Sequence, residues 1–220
     1  MRRQGKSAAA FVFGALVFLG IGAAAYVYNT SLFEREVPKI TIDSEIEWNL
    51  KDPISVNISD ASGLRFVKAT LNDGEKSVVL ESKEMKQPQM SVDLNLSFPK
   101  TGFGANKKAF ELTIEAIDAS KWNFFAGNSV SVKSILKVDT KRPEVSVIAS
   151  SYKIMKGGAA TVIFRAHDEA MKSLYVETNF GKKFYPTPFH KEGYYIVFVA
   201  WPTNVNTFSA SIVAKDRAGN

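Results

Sequence analysis

The side chains able to do chemistry in this sequence are few and scattered. Its two histidines, His167 and His190, stand without a single cysteine, so a zinc site would have to be assembled from them and from carboxylates. His167 reads as the end of a strand beside Asp168, and His190 as part of a polar loop beside Lys191. Neither has ligand spacing, and both read as structural or surface histidines. The same scarcity leaves nucleophilic catalysis of the Ser-His or Cys-His type unsupported. Four aspartates close apparent strands: Asp60, Asp118, Asp168 and Asp216. Clustered carboxylates suit calcium, but Asp also caps an Asx-turn that needs no ion. Asp216-Arg217-Ala218-Gly219-Asn220 reads as such a turn, with Gly219 and Asn220 able to take positive φ. Lys100, Lys107 and Lys108, with Lys182, Lys183 and Lys191, offer basic patches for anionic glycan or lipid head groups, or are simply solvated loop lysines. The loop Trp122-Asn123-Phe124-Phe125-Ala126-Gly127-Asn128 stands out, because three aromatics before a Gly-Asn turn are costly to leave in water. It is expected at a domain interface, with stacking on glycan as the alternative. No catalytic, cofactor-binding or metal residue emerges. The candidate interface residues are Trp122, Phe124, Phe125, Tyr195 and Trp201.

The elements around these residues begin with an apolar run. From Ala8 to Tyr28 the chain carries no charge, and as a helix it would be roughly 30 Å long, the thickness of a bilayer core. Arg2, Arg3 and Lys6 precede it and hold the N-terminus in the cytoplasm, while Tyr26 and Tyr28 suit the far interface. The rival reading is a cleaved signal peptide, since Ala23, Ala24 and Ala25 form a small-residue stretch. The run continues past them through Tyr26, Val27 and Tyr28, which favours an uncleaved anchor. The same three cations supply half of the formal net charge of +6. What remains is a mildly basic ectodomain, and no nucleic-acid partner is expected. Absence of cysteine outside the cytoplasm, where disulfides are permitted, points to a bacterial envelope protein.

Beyond residue 30 the sequence alternates apolar and polar residues over short runs: Ile40 to Ile42, Ile54 to Ile58, Phe66 to Leu71, Val78 to Leu80, Val92 to Leu96, Phe110 to Ile117 and Val130 to Val138. Gly, Pro, Asn, Asp or Ser bounds each, which predicts an all-β fold. Three landmarks then recur in order. Pro38-Lys39-Ile40-Thr41-Ile42 matches Pro143-Glu144-Val145-Ser146-Val147. Ser55 to Asp60 followed by Phe66 matches Val162 to Asp168 followed by Leu174. Leu112 to Asp118 matches Ala210 to Asp216. The expected architecture is two tandem immunoglobulin-like β-sandwich modules after one N-terminal transmembrane helix. Its parts are a cytoplasmic segment 1–7, a signal-anchor helix 8–28, a linker 29–36, a first module 37–139 and a second module 140–220. A further strand, Ser129 to Val138, follows Asp118, whereas the second copy ends within its turn. A sheet lacking its last strand leaves an open edge, so more chain is expected past Asn220. In the strand from Tyr194 to Trp201 both faces are apolar, with Tyr195, Val197, Val199 and Trp201 on one and Tyr194, Ile196 and Phe198 on the other. One face fills the sandwich and the other is expected to meet a partner.

The charged start and single anchor, the stretch Asp118 to Asn128, the linker Val138-Asp139-Thr140-Lys141-Arg142-Pro143 and the end Ala214 to Asn220 together resemble the N-terminal half of bacterial membrane-anchored peptidoglycan metallopeptidases of the lysostaphin/LytM type. In that family a C-terminal catalytic domain binds zinc through His-x-x-x-Asp and His-x-His motifs. Neither motif occurs here, so no catalytic or metal residue carries over. The resemblance implies a region that tethers, positions and occludes a zinc endopeptidase lying beyond residue 220 in the same chain. Peptidoglycan would be its substrate, and the bacterial inner membrane its single-pass anchorage, with the ectodomain in the periplasm. The alternative is a non-enzymatic envelope protein for binding, adhesion or scaffolding.

Overall fold

A computed structural model describes residues 5–101, 103, 104 and 106–220; Arg2 and Arg3, expected to flank the anchor, lie outside them. The apolar run forms helix α1, Gly5–Asn29. Its stretch Ala9–Asn29 is long and apolar enough to cross a membrane, and none of that stretch is buried against the rest of the chain. A signal sequence would meet the same criterion, so the helix is an anchor or a signal. Two side chains end it: Asn29 Nδ2 donates to the carbonyl of Ala25 at 2.8 Å, and Thr30 Oγ1 accepts from Leu32 N–H at 3.2 Å. A 3-10 turn over Ser31–Phe33 follows. The remaining regular structure is almost entirely strand, as the alternation predicts.

The chain divides into two compact units, residues 1–45, 53–104 and 110–135, and residues 46–52, 105–109 and 136–220. Six strands, β1 (Lys39–Thr41), β2 (Glu45–Trp48), β3 (Ile54–Asn72), β4 (Ser77–Leu96), β5 (Ala109–Asp118) and β6 (Ser129–Val138), form a sheet of order β1-β3-β5-β6-β2 in which β4 also pairs with β3. The separate strands expected at Ile54 to Ile58 and Phe66 to Leu71 are one long strand. It bends through residues 60–63 and does not break, because the turn residues there act as a bulge. Asp60 Oδ1 accepts from Ser62 N–H at 2.9 Å, and Gly63 takes φ +87°. A Cβ at Gly63 would lie 2.7 Å from Pro88 Cβ on β4, so the glycine makes room for a strand proline at the bulge. The bend divides the partners of β3. Its first half pairs with β1 and with the end of β4, Ile58 opposite Ile40 and Val92; its second half pairs with the start of β4 and with β5, Val67 opposite Lys83 and Ala116. Period-two burial follows: Ile54, Val56 and Ile58, then Leu112, Ile114 and Ala116, are all buried.

The second unit contains β7 (Glu144–Ser150), β8 (Ala159–His167), β9 (Met171–Thr178), β10 (Lys183–Phe184), β11 (Thr187–Pro188), β12 (Tyr194–Ala200) and β13 (Ala210–Asp216). They make two sheets, β11-β12-β8-β7 and β10-β9-β13. Phe164, Ala166, Val197 and Val199 from the first and Val176 from the second share one hydrophobic cluster. Pairing repeats that of the first sheet: β7 pairs β8 as β1 pairs the start of β3, β12 pairs β8 as the end of β4 pairs β3, and β13 pairs β9 as β5 pairs the rest of β3. The match of landmarks seen in the sequence is thus a match of partners. β13 is an edge strand, whereas its counterpart β5 lies next to β6.

Candidate functional site

Nothing in this architecture gathers the histidines. His167 ends β8 opposite Glu144, and His190 sits in an exposed loop at φ +63° beside the Phe189 ring. Among the described residues, no three of His, Cys, Asp and Glu come together in a way that could hold a metal. The zinc motifs of the metallopeptidases are also absent from the sequence, so the residues present do not fit that metal.

The strand-closing aspartates serve the backbone, in two distinct ways. Asp60 and Asp168 each make an Asx-turn, Asp168 Oδ1 accepting from Ala170 N–H at 2.7 Å. Asp118 and Asp216 are buried and each grips an asparagine that follows a glycine of positive φ. Asp118 Oδ1 accepts from Asn128 N–H at 2.7 Å and from Ser120 N–H at 3.1 Å, and Oδ2 accepts from Asn128 Nδ2 at 2.7 Å. Asp216 repeats this on Asn220, with Oδ1 2.8 Å from the backbone nitrogen and Oδ2 3.0 Å from Nδ2. In each copy the asparagine Nδ2 also donates to a carbonyl four residues before the opening proline: Glu34 at 2.9 Å ahead of Pro38, Asp139 at 2.8 Å ahead of Pro143. The residue after each aspartate donates to the bulge within β3 or to the β8–β9 turn that corresponds to it, Ala119 to Gly63 at 2.7 Å and Arg217 to Ala170 at 3.0 Å. A repeated Asp, Gly-Asn clamp therefore fastens the entering linker to its own unit.

In the first unit the clamp grips the segment that leaves α1. Besides Asn128, Ser120 Oγ donates to the Glu34 carbonyl at 2.7 Å, and Lys121 N–H donates to the Leu32 carbonyl at 2.6 Å. The Arg35 guanidinium lies over the Tyr28 ring, 4.9 Å from its centroid, and over the Trp122 ring at 4.3 Å. Burial, then the nearby Asp60, Glu36 and Asp118 charges, raise the Glu34 carboxyl above its ordinary range, against a lowering hydrogen bond from the Ser62 backbone.

Of the five candidate interface residues, three come together. Trp122, Phe124 and Phe125 form one turn in which Asn123, Phe124 and Phe125 all have positive φ, at 53°, 56° and 68°. Three consecutive non-glycine residues in the left-handed region are costly, at about 1–2 kcal/mol each. The turn is held by Phe125 N–H to Lys121 O, Gly127 N–H to Trp122 O, Trp122 N–H to Ser120 Oγ, and the Arg65 guanidinium on the carbonyls of Phe125 and Ala126. Phe124 is 97% exposed and Phe125 68%. The described contacts of this loop are with the helix exit and its own unit.

Tyr195 and Trp201 lie elsewhere. Tyr195 stacks on buried Phe164 with ring centroids 5.8 Å apart, and Trp201 stacks on Phe208 at 5.6 Å while its Nε1 donates to Val205 O. The face of β12 that carries Tyr195, Val197 and Val199 fills the core, and it is Phe198, 65% exposed, that points outward. Tyr195 and Trp201, expected as interface residues, are both half-buried, with Tyr195 packed against the core cluster. Alternation defines two faces of a strand without saying which is inside. Sequence reasoning also passed over Arg35, Arg65 and Ser120, and read the two clamp asparagines only as turn residues. Their signal was present, since Gly127-Asn128 and Gly219-Asn220 occupy corresponding places in the repeat. The basic residues Lys182, Lys183 and Lys191 lie over the rings of Phe184, Tyr175 and Tyr194 respectively. Compared with known protein families and with curated proteins, the chain gives no match in either.

Proposed function

We propose that this chain is a membrane-anchored positioning region: α1 stays in the inner membrane of a bacterium, and two tandem immunoglobulin-like modules stand in the periplasm. The observation that carries this reading is the clamped exit of the helix. Residues 32–35 are fastened at Leu32, Glu34 and Arg35 to the first unit, so no free tether separates the end of α1 from the first sheet. A cleaved leader has no use for such a junction. The immunoglobulin-like reading is supported by the repeated strand pairing and by the core shared between two sheets in the second unit. On this reading the chain serves a peptidoglycan zinc endopeptidase encoded beyond Asn220, which it tethers and positions at the wall. The sequence resemblance is what supports that step. The test is to read the gene past the codon for Asn220 and to assay the whole product in membranes on purified wall. A downstream domain with both zinc motifs, and wall digestion abolished by a chelator, supports the reading; a stop codon directly after Asn220 refutes the enzyme.

A second reading, wall binding without catalysis, is favoured by the lysine-capped aromatics Tyr175, Phe184 and Tyr194 together with exposed Tyr185. Planar rings and ammonium groups suit stacking on sugars and pairing with their anionic substituents. Co-sedimentation with purified wall that is lost in the Tyr185→Ala variant would support it.

A further inference from the structure

The Trp122–Phe125 turn combines features that a water-facing loop does not need. It displays two phenylalanines to solvent, Phe124 almost completely, on a backbone whose three left-handed residues are kept in place by the Arg65 guanidinium and the Ser120 hydroxyl. Strain that the surroundings over-determine is characteristic of functional surfaces. The turn also has a fixed address. The Arg35 guanidinium lies over both the Trp122 ring and the ring of Tyr28, a residue of the last turn of the apolar span Ala9–Asn29. Lys121, at the base of the turn, bonds to Leu32, the third residue after the helix, and both side chains are exposed. Aromatic rings with arginine and lysine at the level where a helix leaves the hydrocarbon make up the interfacial belt of membrane proteins.

From this juxtaposition we infer that the Trp122–Phe125 loop inserts into the outer interface of the bilayer that α1 crosses, with Phe124 and Phe125 at the boundary between head groups and acyl chains and Arg35 and Lys121 among the phosphates. The inference rests on the anchor reading of α1. Its consequence is a second point of attachment beside the helix. One point lets a module swivel about the membrane normal and tilt; two points fix its tilt.

A sequence without cysteine makes the test clean. Single variants Phe124→Cys, Phe18→Cys and Lys76→Cys of the whole chain are labelled with a nitroxide and reconstituted in vesicles of phosphatidylethanolamine and phosphatidylglycerol. Collision with oxygen, which concentrates in lipid, is compared with collision with a water-soluble nickel chelate. Phe18 lies within α1 and reports on the anchor; Lys76, exposed at the β3–β4 hairpin, reports on water. The expected result is a several-fold higher oxygen-to-nickel ratio at Phe124 than at Lys76. With Phe18 in lipid, a Phe124 ratio equal to that of Lys76 overturns the inference and leaves the anchor standing. Protection of Phe124 from both reagents would place it against protein and also overturn it. A nickel-accessible Phe18 would refute the anchor itself, and the inference with it.

Discussion

Replacing Asp118 by Ala should be the most damaging single substitution in the first unit that deletes no apolar atom. The carboxylate is completely buried and accepts from Ser120 N–H, Asn128 N–H and Asn128 Nδ2. A hydrogen bond to a charged group is worth about 1.5–3 kcal/mol, and each buried donor left without a partner carries its own desolvation cost. The three bonds share one carboxylate and are not additive, so the loss is about 3–5 kcal/mol, at the exceptional end for point mutants. Against a typical stability of about 5–15 kcal/mol, that leaves the unit marginal. Asp168→Ala is the internal control. It closes a strand in the same way in sequence, but it is only half-buried and its Oδ1 accepts from Ala170 N–H, for an expected loss of about 1 kcal/mol. With a slope near 2 kcal/mol per molar, urea unfolding of the detergent-solubilised chain should show the Asp118→Ala midpoint lowered by about 2 M for the first unit. Hydrogen exchange through Leu112–Asp118 assigns the transition to that unit. Equal shifts for the two variants would refute the argument that the clamp, and not the strand-end aspartate as such, carries the energy.

Gly127→Ala should cost more than Gly74→Ala, though both glycines have positive φ, because a Cβ at 127 meets Asp118 O at 2.6 Å and a Cβ at 74 meets nothing within 4 Å; thermal unfolding should put Gly74→Ala near the left-handed cost of about 1–2 kcal/mol and Gly127→Ala well beyond it. Phe164→Ala should destabilise the second unit by about 3–5 kcal/mol, since it empties the centre of a cluster fed by both sheets, with loss of near-ultraviolet dichroism as the readout. Glu34→Gln should stabilise at neutral pH. The folded carboxyl is raised by burial and by Asp60, Glu36 and Asp118, so native structure favours the protonated form; that contribution is present below the ordinary carboxylate pKa and is lost as pH rises through the folded value. The stability difference between wild type and Glu34→Gln should therefore shrink on acidification toward pH 4 and open above it, and a constant difference across pH would contradict the assigned cause. Arg65→Ala removes the guanidinium from the carbonyls of Phe125 and Ala126, and a nitroxide at Phe124 should report a more mobile loop without loss of the sheet.

Much of the β architecture was legible because burial follows period two. Ile54, Val56 and Ile58 show it in one half of a strand, and Leu112, Ile114 and Ala116 show it in a neighbour. Where reading failed, local signals had two physical outcomes. Asp60 and Gly63 mark a turn in sequence, yet with Pro88 opposite them they bend a strand and let it continue. Only the partner strand decides between breaking and bulging, and the partner is 25 residues away. The aromatic turn was recognisable as costly, but its handedness was not. Asn123, Phe124 and Phe125 are ordinary in the right-handed region, and they are held in the left-handed one by Arg65 and Ser120, which are distant or unremarkable in sequence.

The clamp shows why self-similarity told more than any motif. A strand-end aspartate with Ala-Gly-Asn after it, ending ten residues on from Asp118 and four on from Asp216, is in any one place a turn and licenses nothing further. Found at corresponding places in both copies, with the asparagine side chain reaching a carbonyl four residues before each opening proline, it becomes a rule about entry. Each unit fixes the chain that leads into it through the Nδ2 of its own clamp asparagine, Asn128 or Asn220, which the buried aspartate holds in place. For the second unit the chain so fixed is the linker through Asp139; for the first it is the exit of an apolar helix. A device that in one copy only orders a linker thus gains, in the other, a mechanical consequence: whatever orientation α1 takes is passed to the first sheet through Glu34. Asn128→Ala and Asn220→Ala should therefore cost similar stability, about 1–3 kcal/mol each for the lost bonds, while only Asn128→Ala should broaden the distribution of nitroxide distances between α1 and β4 in vesicles. If both variants, or neither, broaden it, the first unit is not held to the helix through this asparagine.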